Sequence, residues 1–337
     1  MSRHQLVMLD PTSERDLELV DSLLPPGEFE VTTPNADDNS SVSELLKNAE
    51  ILVTRTQPVS EEVLAASPKL KLVQKYGGRA DRIDLDAARS RDVAVALMPL
   101  CGCIAVAELA MTLILALSKQ LIEAHAVTVS GAYRELGIEP KQTSQRVHAF
   151  QWMRLPHLQE IRRKTLGIVG FGEIGTEVAK RARAFEMDVV YFKREPLPAA
   201  MDDHLGVRSM PLDDLLSMSD FVSIHVPHSP STDKMIGANE LRLMKPSAYL
   251  VNTCRGPVVD EQALIEALKN RVIAGAGLDV FDLEPLPFDS PLTQLDNVIL
   301  APHIGGGTGG AREKQMADVL ENVTRFVQGE SILNRLV

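Results

Sequence analysis

Cysteines and long hydrophobic runs are scarce in this sequence of 337 residues. Three cysteines, Cys101, Cys103 and Cys254, are too few for a disulfide framework and lack zinc-ligand partners at the usual spacing. We therefore expect reduced thiols, no bound metal and a cytoplasmic location. No apolar stretch approaches the roughly 20 residues that span a bilayer, and no basic-then-apolar leader opens the chain, so we expect no membrane association.

Positively charged residues are also fewer than negatively charged ones. The sequence has 35 Lys and Arg against 46 Asp and Glu, and the formal net charge is −11. A chain this acidic is not expected to bind nucleic acid or an anionic membrane. Any anionic ligand must be held by local positive groups or by backbone amides. With 45% hydrophobic and 24% charged residues, the composition is typical of a soluble globular protein long enough for two domains.

Strand-like apolar runs alternate with helical patterns along nearly the whole chain. Five such runs, from QLVMLD to VAVALM, fall in the first hundred residues, and six more, from TLGIVG to NVILAPH, follow Lys164. This alternation predicts two α/β units, each built on a parallel sheet. In the second unit, Asp260 is predicted to cap the helix DEQALIEALKN.

The residues between the two units follow a different pattern. The segment 104–131 is predicted to be one buried interdomain helix, because it is too evenly apolar for a surface helix. The polar, irregular segment 132–161, which holds Trp152, is predicted to be a linker or an arm. Near the end, GAREKQMADVLENVTRFVQG predicts an amphipathic helix that could return to the first unit.

The stretch LGIVGFGEIGTEVAKRARAFEMDVVYFKRE, residues 166–195, contains the dinucleotide fingerprint G-x-G-x-x-G after a strand and at the start of a helix. Gly170 would permit the tight turn, Gly172 the approach of a pyrophosphate, and Gly175 close packing of helix on strand. The amides of Glu173 and Ile174 would then meet the diphosphate at a helix N-terminus. The alternative is a strand-turn-helix without a ligand.

An acidic residue usually ends the second strand of this unit and accepts hydrogen bonds from the ribose 2′-hydroxyl. Here Lys193 and Arg194 occupy that place. Two cations would attract a 2′-phosphate, so we expect NADP(H) to be preferred, with NAD(H) possible. The alternatives are a solvated basic turn, or an Arg194 that pairs with the neighbouring Glu195.

Three further motifs each place an ionisable residue just beyond a predicted strand: Arg255, Glu284 and His303. In a parallel sheet, ligands bind at the edge formed by the carboxyl ends of the strands. Taken singly, each residue could be structural. Their convergence on one edge beside a dinucleotide site favours a catalytic role.

With these motifs in place, the chain resembles the D-isomer-specific 2-hydroxyacid dehydrogenase family, which includes glyoxylate/hydroxypyruvate reductases and phosphoglycerate dehydrogenases. The resemblance runs from KLKLVQKYGGRADRIDLDAARSRDVAV through AVAEL to APHIGG. It implies two Rossmann-like domains, each a mostly parallel sheet flanked by helices. The substrate-binding (catalytic) domain would be 1–104 plus 304–337, the dinucleotide-binding domain 105–303, and the assembly a homodimer.

The resemblance also implies roles for single residues. Arg255 would bind the substrate carboxylate and carbonyl oxygen, since its planar fork suits that geometry. His303 would donate a proton to the oxygen as hydride reaches carbon. Glu284 would orient the imidazole and favour its charged form.

Further contacts are implied for the ligands. The cofactor would meet a set of residues at the strand ends, namely Val226, Pro227, Thr232, Thr253, Cys254 and Asp279. The substrate carboxylate would meet the loop Gly77, Gly78, Arg79, in which Arg79 replaces the family's second glycine. Arg79 either points to solvent or adds a positive group for a second acidic function on the substrate.

These observations predict an NAD(P)-dependent oxidoreductase that interconverts a 2-keto acid and a D-2-hydroxy acid, in the direction of NADPH-dependent reduction. Its partner would be a small-molecule 2-keto or 2-hydroxy acid. The alternative is a cofactor-sensing regulatory protein, because corepressors resemble the same family and fold alone does not separate the two.

Overall fold

The computed structural model describes residues 3–34, 39–80, 82–98, 102–148, 150–307 and 309–337, without the side chains of 39–41 and 311. Backbone contacts divide the chain into two compact units. Unit 1 comprises Met1–Gly102 and Thr308–Val337, and unit 2 comprises Cys103–Gly307. The sequence places the domain boundaries after residues 104 and 303, whereas the structure places them after residues 102 and 307.

Unit 1 is built on a five-stranded parallel sheet with the strand order β2-β1-β3-β4-β5. Its strands and helices alternate along the chain: β1 (His4–Met8), α1 (Glu14–Leu23), β2 (Phe29–Thr32), α2 (Asn39–Asn48), β3 (Ile51–Thr54), α3 (Glu61–Ala66), β4 (Leu72–Lys75), α4 (Leu85–Ser90) and β5 (Ala94–Leu97).

The apolar core of unit 1 has two parts because successive side chains of a strand point to opposite faces of the sheet. Leu6 and Met8 of β1 pack into one cluster, and Val7 packs into the other. One helix from the far end of the chain, α12 (Ala311–Val327), completes the first cluster with Val319 and Val323. The last helical pattern therefore lies in unit 1.

Unit 2 contains a seven-stranded parallel sheet with the order β12-β11-β10-β9-β6-β7-β8. Its elements are α5 (Cys103–Ser118), α6 (Leu121–Ser130), β6 (Thr165–Val169), α7 (Glu173–Ala184), β7 (Asp188–Phe192), α8 (Ala199–Leu205), β8 (Val207–Ser209), α9 (Leu212–Met218), β9 (Phe221–Ile224), α10 (Ala238–Leu243), β10 (Tyr249–Asn252), α11 (Glu261–Lys269), β11 (Gly275–Leu278) and β12 (Val298–Leu300). The two parallel sheets flanked by helices confirm the predicted α/β, Rossmann-like fold class.

The central strands of unit 2 are continuous apolar runs rather than alternating ones, because helices cover both faces of the sheet. All four residues of β9, of β10 and of β11 are buried. In β11, Gly277 makes room for α5, since a Cβ at this position would lie 3.0 Å from the Cβ of Leu113. The helix α5 thus packs directly on the sheet of its own unit.

The prediction of a single buried helix over 104–131 is wrong. The helix ends at Ser118, Gln120 takes a left-handed conformation with φ of 45°, and α6 continues at an angle of 57°. In α5 one face is buried, but α6 has no buried residue. The side-chain pattern is apolar on both sides of the break, so hydropathy alone gave no sign of it.

Smaller features also decide where elements begin. The Asp260 carboxylate accepts a hydrogen bond from the Ala263 N–H at 3.2 Å, which confirms the predicted helix cap. The short edge strand β8 escaped prediction because three residues carry too little pattern.

Within the described ranges no single helix is long and apolar enough to cross a membrane, and α5 with α6 would meet that test only as a bent pair.

Candidate active site

The fingerprint glycines lie where β6 leads into α7. Gly170 has a φ of 96°, and a Cβ on it would come within 2.6 Å of the His225 carbonyl oxygen, so this turn admits only glycine. A Cβ on Gly172 would meet nothing within 4 Å, and one on Gly175 would lie 2.5 Å from the Gly170 carbonyl oxygen. The three positions therefore have the local geometry predicted for a turn, an open face and a close contact of helix with strand.

The strand order explains why a ligand would bind here. From β6 the chain runs to β7 on one side of the sheet and later to β9 on the other, which creates a crevice at the carboxyl end of β6. Glu173 and Ile174 begin α7 in this crevice. Lys193 and Arg194 follow β7, and Val226 and Pro227 follow β9. Each of these predicted cofactor residues therefore lies in a loop or at a helix start at one edge of the sheet.

Two buried polar atoms at this edge have no hydrogen-bond partner among the described residues: Nδ1 of His225 and Oγ1 of Thr253. Burial lowers the pKa of His225 to about 3, so its ring is neutral, and its Nε2 lies 2.8 Å from the hydroxyl of Ser223. Buried polar groups are normally paired. Together with the open face of Gly172, these atoms fit a polar ligand such as a dinucleotide.

The hydroxyl of Thr232 is already engaged within its own loop. It donates to the Pro227 carbonyl at 2.7 Å and accepts the Ser229 N–H at 2.9 Å. Thr232 therefore fixes the shape of the loop that follows β9, which sequence reasoning did not anticipate.

His303 and Glu284 lie in direct contact. The imidazole Nδ1–H donates to the Glu284 Oε2 at 2.5 Å, and the other carboxylate oxygen accepts the Phe281 N–H at 3.1 Å. The two side chains keep 47% and 35% of their surface exposed, so the pair can be reached by a substrate. With Nδ1 fixed in this way, Nε2 is the nitrogen left to exchange a proton with a ligand.

Arg255 is brought to the same edge by its neighbours in the chain. The buried Asn252 donates to the Arg255 carbonyl at 3.0 Å and accepts the Cys254 N–H at 3.1 Å, which folds the turn after β10. A Cβ on Gly256 would overlap the backbone of Phe281, so only glycine lets this turn lie against the loop of Glu284. Sequence reasoning missed Asn252 and Gly256, because their partners are not visible from local pattern.

Opposing influences act on the Glu284 carboxylate. Burial by itself would raise its pKa. The hydrogen bonds from His303 and from the Phe281 amide, with the charges of His303 and Arg255, outweigh that effect and lower the pKa below its usual value. The carboxylate is therefore ionised at neutral pH, next to the imidazole that it orients.

Asp279 has a role beyond the predicted one. Its buried carboxylate accepts the Ile304 N–H at 2.8 Å and the Gly305 N–H at 2.9 Å. These bonds hold the loop in which His303 adopts a left-handed conformation with φ of 55°, a conformation that is strained for a residue with a side chain. Asp279 thus fixes the backbone on which the imidazole stands.

The thiol of Cys254 lies among these residues without being activated. Burial raises its pKa to about 11, so the sulfur stays protonated at neutral pH and is a poor nucleophile. Cys103 and Cys254 are both buried and neither forms a disulfide, and Cys101 lies outside the described residues. In the described part of the chain, no cluster of three or more His, Cys, Asp or Glu side chains could hold a metal ion.

The predicted substrate loop belongs to unit 1. Gly77, Gly78 and Arg79 follow β4 at the carboxyl edge of the unit 1 sheet, and Gly77 has a φ of 139°. The Arg79 side chain is exposed.

Unit 2 combines a glycine fingerprint on a parallel sheet with Arg255, Glu284 and His303 at the carboxyl edge of that sheet. Together these features define a nicotinamide-dependent oxidoreductase. The chain belongs to the D-isomer specific 2-hydroxyacid dehydrogenase family, because residues 111–305 match the NAD binding domain of that family. It is an enzyme that interconverts 2-keto and 2-hydroxy acids.

Similar proteins span almost the same length. A glyoxylate reductase from Thermococcus litoralis is 41% identical over 299 residues, which cover 88% of this chain and 86% of the relative. The crystal structure of a 2-hydroxyacid dehydrogenase from Ketogulonicigenium vulgare is 28% identical, with a TM-score of 0.70, and the match covers 100% of this chain and 99% of that one. An acyclic imino acid reductase in complex with NADPH and D-Arg is 26% identical, with a TM-score of 0.64 and coverages of 98% and 99%.

Proposed function

We propose that this enzyme reduces a small 2-keto acid to the D-2-hydroxy acid, that it acts on glyoxylate or hydroxypyruvate, and that it prefers NADPH. The observation that carries this proposal is the His303–Glu284 hydrogen bond next to the Arg255 turn. A glyoxylate reductase at 41% identity supports the substrate.

The chain's own groups account for binding and for the proton. The guanidinium of Arg255 binds the substrate carboxylate and the keto oxygen by charge-assisted hydrogen bonds. His303 delivers the proton from Nε2 to that oxygen, and the ionised Glu284 stabilises the imidazolium before the transfer. The nicotinamide ring, when bound, supplies the hydride. In the oxidative direction His303 takes the proton back.

Preference for NADPH is proposed from the loop after β7. Lys193 and Arg194 occupy the position where an acid would bind a ribose hydroxyl, and two cations there favour a 2′-phosphate. A relative of 26% identity has been solved with NADPH bound, which is consistent with this proposal. We further propose that Val226, Pro227, Thr253 and Asp279 line the cofactor.

Substrate binding in unit 1 is proposed for the loop after β4. The amides of Gly77 and Gly78 would receive the carboxylate, and Arg79 would add a positive group that favours substrates with a second acidic function. Comparing glyoxylate with a keto diacid such as oxaloacetate in Arg79→Ala tests this idea. A selective loss on the diacid is expected, whereas equal losses would leave Arg79 without a role in specificity.

We propose that the enzyme is a homodimer in the cytoplasm. In unit 2, α6 and the segment up to residue 158 expose large apolar side chains that a partner subunit would cover. The most exposed are Ile122, Val129 and Phe150, at 59%, 73% and 87%. The buried thiols of Cys103 and Cys254, which form no disulfide, are consistent with a reducing compartment.

The decisive experiment is turnover of a panel of 2-keto acids with NADPH and with NADH, followed at the nicotinamide absorbance. His303→Ala serves as the control, and its kcat/KM should fall about 10²–10⁴-fold while cofactor affinity is unchanged, because the imidazole acts on the substrate. Absence of turnover on the whole panel would favour the alternative of a cofactor-sensing regulatory protein.

A further inference from the structure

Tyr191 links the two loops that form the proposed adenosine side of the cofactor site. It is the last but one residue of β7 and is fully buried. Its ring stacks on Phe171 with a centroid distance of 4.2 Å, and Phe171 lies between the first two fingerprint glycines. The aromatic pair therefore joins the fingerprint turn to the strand that leads to the basic pair Lys193 and Arg194.

The hydroxyl of Tyr191 makes two hydrogen bonds of opposite sense. It accepts the Leu197 N–H at 2.9 Å and donates to the Asp202 carboxylate of α8 at 2.8 Å. Burial raises the pKa of the phenol and Asp202 raises it further, against the effects of the Leu197 amide and the Ser209 side chain, so the hydroxyl stays protonated and able to donate. Both bonds depend on one oxygen atom.

These bonds close the loop that carries the basic pair. At its start, the Phe192 carbonyl accepts the Gly170 N–H at 2.9 Å. At its end, Leu197 lies between Pro196 and Pro198, which have no amide hydrogen, so Leu197 supplies the only backbone donor of that tripeptide. The Tyr191 hydroxyl takes that donor, and the loop is thus anchored to the sheet on both sides of Lys193 and Arg194.

We propose that Tyr191 is a positioning residue that determines cofactor preference, because its hydroxyl holds the loop of Lys193 and Arg194 in the conformation that receives a 2′-phosphate. The proposal rests on the proposed preference for NADPH. An anchored loop has little conformational entropy to lose when its cations meet the phosphate, whereas a released loop has more. NADH lacks the phosphate, so its affinity depends less on the order of this loop.

The test is Tyr191→Phe, which removes the hydroxyl and keeps the stack on Phe171. Dissociation constants for NADPH and NADH would be measured by calorimetry on the intact enzyme. Loss of one hydrogen-bonding group should weaken NADPH about fivefold, with NADH affinity and the kcat at saturating NADPH little changed. Tyr249→Phe is the matched control, since Tyr249 is a buried tyrosine at the opposite, amino end of β10 and stacks on Phe221.

A second pair of variants separates positioning from a general loss of stability. Asp202→Asn keeps an acceptor for the Tyr191 hydroxyl and should retain the NADPH preference, whereas Asp202→Ala should lower it. Hydrogen exchange gives a readout independent of the cofactor: the Leu197 amide should exchange faster in Tyr191→Phe than in the wild-type enzyme. Asp202→Ala also provides the test if Tyr191→Phe fails to fold.

The outcomes separate the two proposals. A wild-type enzyme that binds NADH more tightly than NADPH would overturn the proposed function, and this inference with it. A wild-type enzyme that prefers NADPH, with an unchanged ratio of affinities in Tyr191→Phe, would overturn the role of Tyr191 alone. Equal weakening of both cofactors in Tyr191→Phe would reduce that residue to a structural one.

Discussion

Replacing Glu284 with glutamine removes the charge that faces His303 and keeps the size of the side chain. The remaining amide oxygen can still accept the Phe281 N–H, but an NH₂ group can take the place of the oxygen that now accepts the imidazole proton. The imidazole then loses a charge-assisted partner at Nδ1 and must change tautomer or turn away. We expect the kcat for reduction to fall, with little change in cofactor affinity.

The size of the effect follows from the exposure of the pair. A hydrogen bond to a charged group contributes about 1.5–3 kcal/mol. Both side chains remain more than a third exposed, at 47% and 35%, so the lower end applies. About 1.5 kcal/mol corresponds to about a tenfold loss of kcat/KM at neutral pH.

The assay is reduction of glyoxylate at neutral pH, with Asp282→Asn as the control. Asp282 lies two residues before Glu284, and its carboxylate is near Lys234 and Asp260. The control removes the same charge from the same loop, and its kcat/KM should stay within about twofold of the wild type. Equal losses in the two variants, or a Glu284→Gln enzyme of full activity, would refute the role given to this hydrogen bond.

The same variant makes a prediction about acid stability. The folded-state pKa of Glu284 is lower than its value of 4.5 in an unfolded chain. Its contribution to stability is therefore complete above that unfolded value and is lost as the pH falls through the folded one. On acidification below pH 4.5, the Tm of the wild type should fall more steeply than that of Glu284→Gln. Parallel Tm curves would contradict the lowered pKa.

Two further predictions concern the cofactor and the assembly. Lys193→Asp combined with Arg194→Ser should reverse or abolish the preference for NADPH, measured as the ratio of kcat/KM values, and a wild type that already favours NADH would contradict this reading of the basic pair. Ile122→Glu should convert the proposed dimer to a monomer, measured by light scattering at micromolar concentration. Leu243→Glu is the control and should leave the dimer intact, because Leu243 is equally apolar, is 41% exposed and lies on α10, outside the proposed interface. A wild-type monomer would rule out the proposed interface.

Local pattern was sufficient for the features that lie close together in the sequence. The fingerprint glycines fall within six residues, and strand and helix signals flank them, so both the turn and its sheet could be predicted. The break between α5 and α6 could not, because it depends on the left-handed backbone of Gln120 in a stretch whose composition hardly changes.

The supports of the active site are also beyond local pattern. Asp279 holds the backbone 25 residues further along, and Gly256 packs on Phe281 of the next loop. Such contacts join elements whose distance in space is set by the order of strands in the sheet, and a single sequence does not show that order. The family resemblance predicts which residues act, whereas the structure shows what keeps them in position.

The helix α12 has a consequence for biosynthesis. Val319 and Val323 lie in the same cluster as Leu6, and Asn322 donates a hydrogen bond to Gln74 at 2.9 Å across 248 positions of sequence. Unit 1 is therefore begun first on the ribosome and completed last, after all of unit 2 has been translated. Until α12 emerges, the cluster that Leu6 shares with Val20 of α1 lacks Val319 and Val323 and stays partly exposed, so we expect the nascent chain to be most prone to aggregation during that interval.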